Sequence, residues 1–176
     1  MKPTGIRLRE ESPADAEFLY QLYASTRAAE MAAVPWDDGQ KEAFLRWQFQ
    51  LQSAHYHEHY PRASYLVIAD GELPIGRLYI DRASDAMHVL DIALVPGRRG
   101  AGIGAALLKD LLEEAGSASR PVMLYVEQYN PALAFYERLG FQRVEVEGVY
   151  WLMRWSTQDS GPAIAPEARQ DSAAGK

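Results

Sequence analysis

The segment Val95-Pro-Gly-Arg-Arg-Gly-Ala-Gly-Ile-Gly-Ala105 limits what this chain can fold into more than any other stretch. Residues 87–95, before it, are almost continuously apolar, the pattern of a strand covered on both faces. After it, Gly104, Leu107, Leu108, Leu111 and Leu112 recur at helical spacing over 102–115. A buried strand that runs through a glycine loop into an amphipathic helix needs a sheet with helices layered on it. The glycines let the backbone come close to a ligand. The helix start supplies unpaired N–H groups and the positive end of its dipole. With Arg98 and Arg99 beside it, the loop reads as an anion site suited to a pyrophosphate.

Other phosphate loops fit less well. There is no Gly-Lys-Ser/Thr, so this is not an NTPase P-loop. Gly100-Ala-Gly102-Ile-Gly-Ala105 does fit a dinucleotide fingerprint, and Glu127 stands where a ribose-binding acid would be. Against that rival, Pro96 to Arg99 separate the strand from the first glycine, and only about 50 folded residues follow the loop. Charge narrows the field further. Lys plus Arg number 18 and Asp plus Glu 24, a net of −6, which argues against general nucleic-acid binding. With no cysteine there is no disulfide, no thiolate metal site and no cysteine nucleophile. Residues 1–20 lack the apolar core of a signal peptide, and no run approaches the ~20 apolar residues of a membrane span. The expectation is a soluble, cytoplasmic protein.

The rest of the chain reads as β α α β β β α β α β β, a mixed α/β domain over 5–155. Residues 5–10 alternate as a strand. Ser12-Pro13 opens a helix to about Arg27, the stretch from Met31 to Asp38 is a loop, and a second helix runs from Asp38 to about Glu58. Residues 64–69 and 75–81 form a hairpin about Asp70-Gly71. Residues 122–127 are a short buried strand. Asn130-Pro131 caps a short helix to Leu139, and 141–147 with 149–155 close the domain. Residues 156–176 have little to bury and are expected to be a flexible tail.

Two blocks carry a resemblance to a known family. Arg99-Gly-Ala-Gly102-Ile-Gly104 matches the R/Q-x-x-G-x-G/A loop, and Asn130-Pro-Ala-Leu-Ala-Phe-Tyr136-Glu-Arg-Leu-Gly-Phe141 resembles the block after the fifth strand, of the GNAT N-acetyltransferase superfamily. Tyr136 follows Asn130 by six positions where that pattern has seven, so the match is tighter at Tyr136. The resemblance implies a GNAT-like fold, a central mixed sheet of six or seven strands with about four helices. It implies acetyl-CoA as cosubstrate. Backbone N–H groups from Gly100, Ala101, Gly102, Gly104 and Ala105, with Arg99, would hold the pyrophosphate, Asn130 would stand at the same cleft, and the backbones of Ile92 and Leu94 would pair with the pantetheine arm. The implied activity is N-acetyl transfer to a primary amine, by direct transfer in a ternary complex. A catalytically weak acyl-CoA-binding or sensing module is the alternative.

Acyl transfer to an amine needs a neutral amine, a donor to the oxyanion, and a proton or hydrogen bond for the departing thiolate. In the resemblance Tyr136 takes the last role. For the base, His88 lies on the strand before the loop, and histidine is the side chain whose charge changes near neutral pH. Glu127, ending the neighbouring strand, is the second candidate. Strand parity puts His88, Leu90, Ile92 and Leu94 on one face and Asp91, read as structural, on the other. On the acceptor side, Trp36 with Asp37 or Asp38 could hold a cationic amine. The plainer reading has Asp38 capping the second helix and Phe44, Leu45, Trp47 and Leu51 packed beneath Trp36. His55 and His59 share an i, i+4 face, yet nothing supplies a third ligand, and no metal is expected. The partners expected are a small-molecule or peptide amine, no nucleic acid, no membrane, and a second copy of the chain through the aromatic last strands (Tyr150, Trp151, Met153, Trp155).

Overall fold

A computed structural model of the protein describes residues 5–158. The strands are β1 (Ile6–Glu10), β2 (Ser64–Asp70), β3 (Leu73–Asp81), β4 (Met87–Leu94), β5 (Val122–Glu127), β6 (Gln142–Glu147) and β7 (Tyr150–Trp155). The helices are α1 (Ala16–Ala32), α2 (Asp38–His59), α3 (Ile103–Ser117) and α4 (Ala132–Arg138), with 3₁₀ turns at Pro13–Asp15 and Pro96–Arg98. The seven strands form one sheet in the order β1-β2-β3-β4-β5-β7-β6. All neighbours are antiparallel except β4 and β5, which run parallel and are joined through α3. Most of the tail expected over 156–176 lies outside the described residues, as do residues 1–4. No helix among the described residues is long and apolar enough to cross a membrane.

The leucines of α3 do what their spacing requires. Leu107, Leu108, Leu111 and Leu112 are buried against Leu78, Ile80, Val89 and Leu124 of the sheet, together with Leu133 of α4. Each such side chain stabilises the fold by about 1.5–3 kcal/mol relative to exposure. The opposite face carries α1 and α2, which share a small cluster of Tyr20, Tyr23 and Leu45. Arg9 anchors the first turn: its guanidinium donates to both oxygens of buried Asp15 at 2.6 and 2.8 Å, and the Ser12 N–H donates to the same carboxylate at 2.8 Å.

Several sequence expectations are corrected. α1 runs on to Ala32, because Ala28 to Ala32 are good helix formers and Met31 packs on the α1–α2 cluster. The cap of α2 is Asp37, not Asp38: its Oδ1 accepts the Gln40 N–H at 2.8 Å, while Gln40 Oε1 accepts the Asp37 N–H at 3.1 Å. Only Leu45 of α2 is buried. Trp36, Trp47 and Leu51 are exposed, and Trp36 meets Phe44 edge to face at 5.3 Å.

The correction that matters for function lies in β4. In its register with β3, Ile80 pairs with Val89 and Tyr79 with Asp91, which leaves Leu90 as an extra, unpaired residue. Such a bulge inserts one residue and reverses the face of everything beyond it. Paired residues share a face, so His88 lies with Asp91 on the side of Arg77 and Tyr79, facing α1 and α2. Val89, Ile92 and Leu94 face α3. Uninterrupted parity assigned Asp91 to the wrong side of His88. The expectation that β4 is covered on both faces also fails past Val89, where residues 90–94 are all half-exposed.

Candidate active site

The parallel ladder between β4 and β5 is short. It pairs Met87 with Val122, His88 with Met123 and Val89 with Leu124, and then stops, although β4 continues to Leu94 and β5 to Glu127. The strands separate where the bulge lies. Two cavities meet in that gap. One, of about 830 Å³, lies over the loop and the start of α3; the other, of about 730 Å³, lies between α1, α2 and the sheet. Ile92, Ala93, Glu127, Asn130 and Tyr136 line both, so the two form one continuous cleft.

At the loop end, Gly100 and Gly102 have φ of 74° and 79°, and a Cβ built on either would meet no protein atom within 4 Å. Packing therefore does not demand glycine there; the left-handed backbone does, and the space above it belongs to the cleft. The first intrahelical bond of α3 runs from the Ala106 N–H to the Gly102 carbonyl at 3.0 Å. The N–H groups of Ile103, Gly104 and Ala105 precede it at the positive end of the helix. Arg99 donates through Nε to the Leu94 carbonyl at 2.8 Å and through Nη2 to Ser25 Oγ at 3.2 Å, tying the loop to β4 and α1. Arg98 does not join it: its guanidinium pairs with Asp70 at 2.8 Å, at the end of β2. The loop and the start of α3 thus present unpaired N–H groups to the cleft, with one arginine beside them.

Tyr136 stands where the two halves of the cleft join. Its ring packs edge to face on Phe141 at 5.8 Å. Burial, with the charge of Asp91 adding to it, pushes the phenol up to about 12, so it carries its proton throughout the neutral range. The hydroxyl is a hydrogen-bond donor at the centre of the cleft. Asn130 caps α4, its Oδ1 accepting the Ala132 N–H at 2.9 Å, and lines the cleft as well.

His88 and Glu127 both line the α1–α2 half. Glu127 lies 3.7 Å from Arg27, which also pairs with Glu30 at 3.1 Å. The same chamber holds residues that sequence reasoning passed over. Arg77 is 3% exposed; it is ion-paired with Asp91, donates to Gln52 Oε1 at 2.9 Å, and its Nε is buried without a partner among the described residues. The signal for this pair was present: Arg77 is the one basic residue inside the apolar run of β3, and Asp91 the one carboxylate inside that of β4. Tyr56 donates to the Leu90 carbonyl at 3.1 Å. Glu147 and Tyr150 close the far wall, and the Tyr125 hydroxyl donates to Glu147 at 3.2 Å. Trp36, Asp37 and Asp38 line neither cavity, so the cation site considered there is not part of the cleft. His55 and His59 do converge, as stacked rings 4.1 Å apart. Among the described residues no three His, Asp or Glu side chains group around a common metal position.

Residues 17–141 match the model of the acetyltransferase (GNAT) family. A mycothiol acetyltransferase of Corynebacterium glutamicum (strain R) is 33% identical over 104 residues, 57% of this chain and 36% of that protein. A glucosamine 6-phosphate N-acetyltransferase of Trypanosoma brucei brucei is 38% identical over 58 residues, 33% of this chain and 39% of that one. The matches thus span little more than a third of these curated relatives. Among solved structures, the PaiA N-acetyltransferase of Thermoplasma acidophilum in complex with coenzyme A superposes with a TM-score of 0.65 at 19% identity, over 86% of this chain and 98% of that one. The spermidine N-acetyltransferase of Vibrio cholerae, in complex with CoA and spermine, gives 0.59 at 18% identity, over 89% and 98%. These likenesses are of fold.

Proposed function

The chain belongs to the GNAT acetyltransferase family, and from that premise we propose that it transfers the acetyl group of acetyl-CoA to a primary amine, directly and within a ternary complex. The observation that carries the reading is the continuous cleft, with an anion cradle at one end, a chamber at the other and a protonated tyrosine between them. The glycine positions fit the cofactor: a Cβ at Gly100 or Gly102 would occupy space that no protein atom fills. The N–H groups of Ile103, Gly104 and Ala105 would hold the pyrophosphate. The gap between β4 and β5 would take the pantetheine arm as an added strand, with Ile92 beside the acyl carbonyl. The Leu94 carbonyl already accepts from Arg99, so Ile92 is the freer backbone of the two. Acetyl-CoA supplies the activated thioester; the protein supplies orientation and proton handling.

The acceptor enters from the chamber, whose carboxylates Glu30, Asp91, Glu127 and Glu147 outnumber its guanidinium groups, Arg27 and Arg77. That charge favours a positively charged amine. His88 or Glu127 takes the ammonium proton, directly or through water. The neutral nitrogen attacks the acyl carbon, the carbon–sulfur bond breaks, and Tyr136 donates its proton to the departing sulfur. The proton shed by the new amide nitrogen returns to the phenolate. The aromatic strand expected to carry a homodimer, β7 with Tyr150, Trp151, Met153 and Trp155, lies between β5 and β6 and buries Met153, so a second copy would instead meet the edge strand β6, where Val144 and Val146 are exposed.

The test is a panel of primary amines assayed for acetyl-CoA-dependent release of free CoA, with Tyr136→Phe alongside. The expected outcome is turnover with at least one cationic amine, and a loss of about 10²-fold in kcat in the variant with CoA affinity nearly unchanged. Unchanged turnover in the variant removes Tyr136 from the mechanism. CoA binding without turnover on any amine favours the binding-module alternative.

A further inference from the structure

Both strands continue past the point where their ladder ends. β5 is paired with β7 along its whole length, from Val122 to Glu127, so only its β4 side is open. β4 is paired with β3 to Leu94. Two adjacent free edges tend to zip together, since each holds main-chain groups that need partners. Something keeps these apart.

The bulge residue holds the answer. The carbonyl of Leu90 accepts a hydrogen bond at 3.1 Å from Tyr56, which reaches down from α2 onto the face of the sheet. That carbonyl is therefore satisfied by a helix instead of the ladder. The next residue, Asp91, is ion-paired with Arg77, and the same guanidinium donates to Gln52 at 2.9 Å. Gln52 and Tyr56 are four residues apart, one turn of α2, so both ties come from one helical face. Tyr56 is braced edge to face on Tyr79 at 5.9 Å, and burial holds its phenol well above the ordinary tyrosine range, so it remains a donor.

We propose that Tyr56, reinforced by Gln52 through the Arg77–Asp91 pair, is a positioning residue that holds the β4 bulge onto α2 and so keeps β4 and β5 apart for the cofactor arm. The inference rests on the reading of that gap as the arm's site. It assigns α2 a second task besides walling the acceptor chamber: it fixes the strand against which the cofactor lies. Without the tyrosine hydroxyl, the Leu90 carbonyl would find its donors on β5, and the gap would narrow.

The experiment compares Tyr56→Phe with the wild type by hydrogen exchange of the ligand-free protein and by calorimetric titration with CoA. The variant is expected to show slower amide exchange at residues 90–94 and 125–127, and a CoA Kd raised about three- to ten-fold, the effect of losing one hydrogen bond. A side chain that only packs would give the opposite sign, faster exchange and a lower melting temperature. Unchanged or faster exchange in these segments overturns the proposal. Gln52→Leu removes the second tie without touching the phenol and is expected to act in the same direction, so the test stands if Tyr56→Phe folds poorly. A wild type that binds no CoA, yet whose variants show slowed exchange, would sink the cofactor reading while leaving the tie between α2 and β4 in place.

Discussion

Replacing Gly102 with glutamate separates the demands of the fold from those of the ligand. Gly102 has φ 79° and ψ 1°, and a Cβ there would touch no protein atom within 4 Å. The cost to the fold is thus a backbone cost, about 1–2 kcal/mol for an L-residue held left-handed. A carboxylate at the N-terminus of α3 offsets about 0.3–1 kcal/mol of it through the helix dipole. The net loss of about 1 kcal/mol should lower the melting temperature by about 2–4 °C for a domain of this size. The ligand should feel far more. A carboxylate about 5 Å from a phosphate charge, at an effective dielectric of about 20, is repelled by about 3 kcal/mol, more than a hundredfold in Kd. Thermal melts and calorimetric titration with CoA measure both numbers. Gly97→Glu is the control: its Cβ also meets nothing, its φ is not left-handed, and it lines neither cavity. A Gly102→Glu protein that melts a few degrees low but binds CoA within about threefold of the wild type would refute the pyrophosphate assignment, since the argument requires the two losses to be unequal.

A Cβ at Gly76 would lie 2.4 Å from the Ala93 carbonyl oxygen and 2.8 Å from Leu94 Cδ2. Gly76→Ala should therefore push β4 outward, destabilise the protein by about 1–3 kcal/mol in urea titrations, and weaken CoA binding from a distance. At acid pH, hydrogen bonds from Arg9 above all hold the Asp15 carboxyl well below the usual carboxylate range. Its folded pKa is below its unfolded one, so its contribution is full above about pH 4 and is lost as pH falls. Asp15→Asn should flatten the stability–pH curve below pH 4. At alkaline pH the sign reverses. Tyr136 is pushed up to about 12 from an unfolded value near 10, so its contribution is full below about pH 10 and fades towards 12, and Tyr136→Phe should remove about 2–3 kcal/mol of that loss.

Much of the cleft was legible along the chain. Arg99, Gly100, Gly102 to Ala105, Asn130 and Tyr136 all line its loop half or its junction, because they belong to local motifs: a loop entering a helix, and a short capped helix; Ala101, expected with them, lines neither cavity. Local chemistry is written locally. Arg98 was misread as part of the loop because its partner, Asp70, ends β2 and is distant in sequence. Trp36 was misread as covering a packed helix face, since the composition of α2 does not reveal which of its aromatics find neighbours. The orientation of β4 failed for a sharper reason. Period-2 reasoning assumes an unbroken ladder, and one extra residue at Leu90 takes His88 off the face of Ile92 and puts it on the face of Asp91.

The sequence alone determined the order of elements, the glycine loop that enters α3, and the short helix that carries Tyr136, because these depend on helix and strand periods, caps and backbone sterics within a few residues of chain. Only the tertiary structure decided that β4 and β5 part at the bulge, that Tyr56 and Arg77 reach that point from α2 and β3, and that His88, Asp91 and Glu127 face one chamber. Those facts depend on which strands pair, in which register, and on a helix more than thirty residues away finding one carbonyl. No local pattern encodes a register, and the gap that makes a site of this sheet is a place where the register stops.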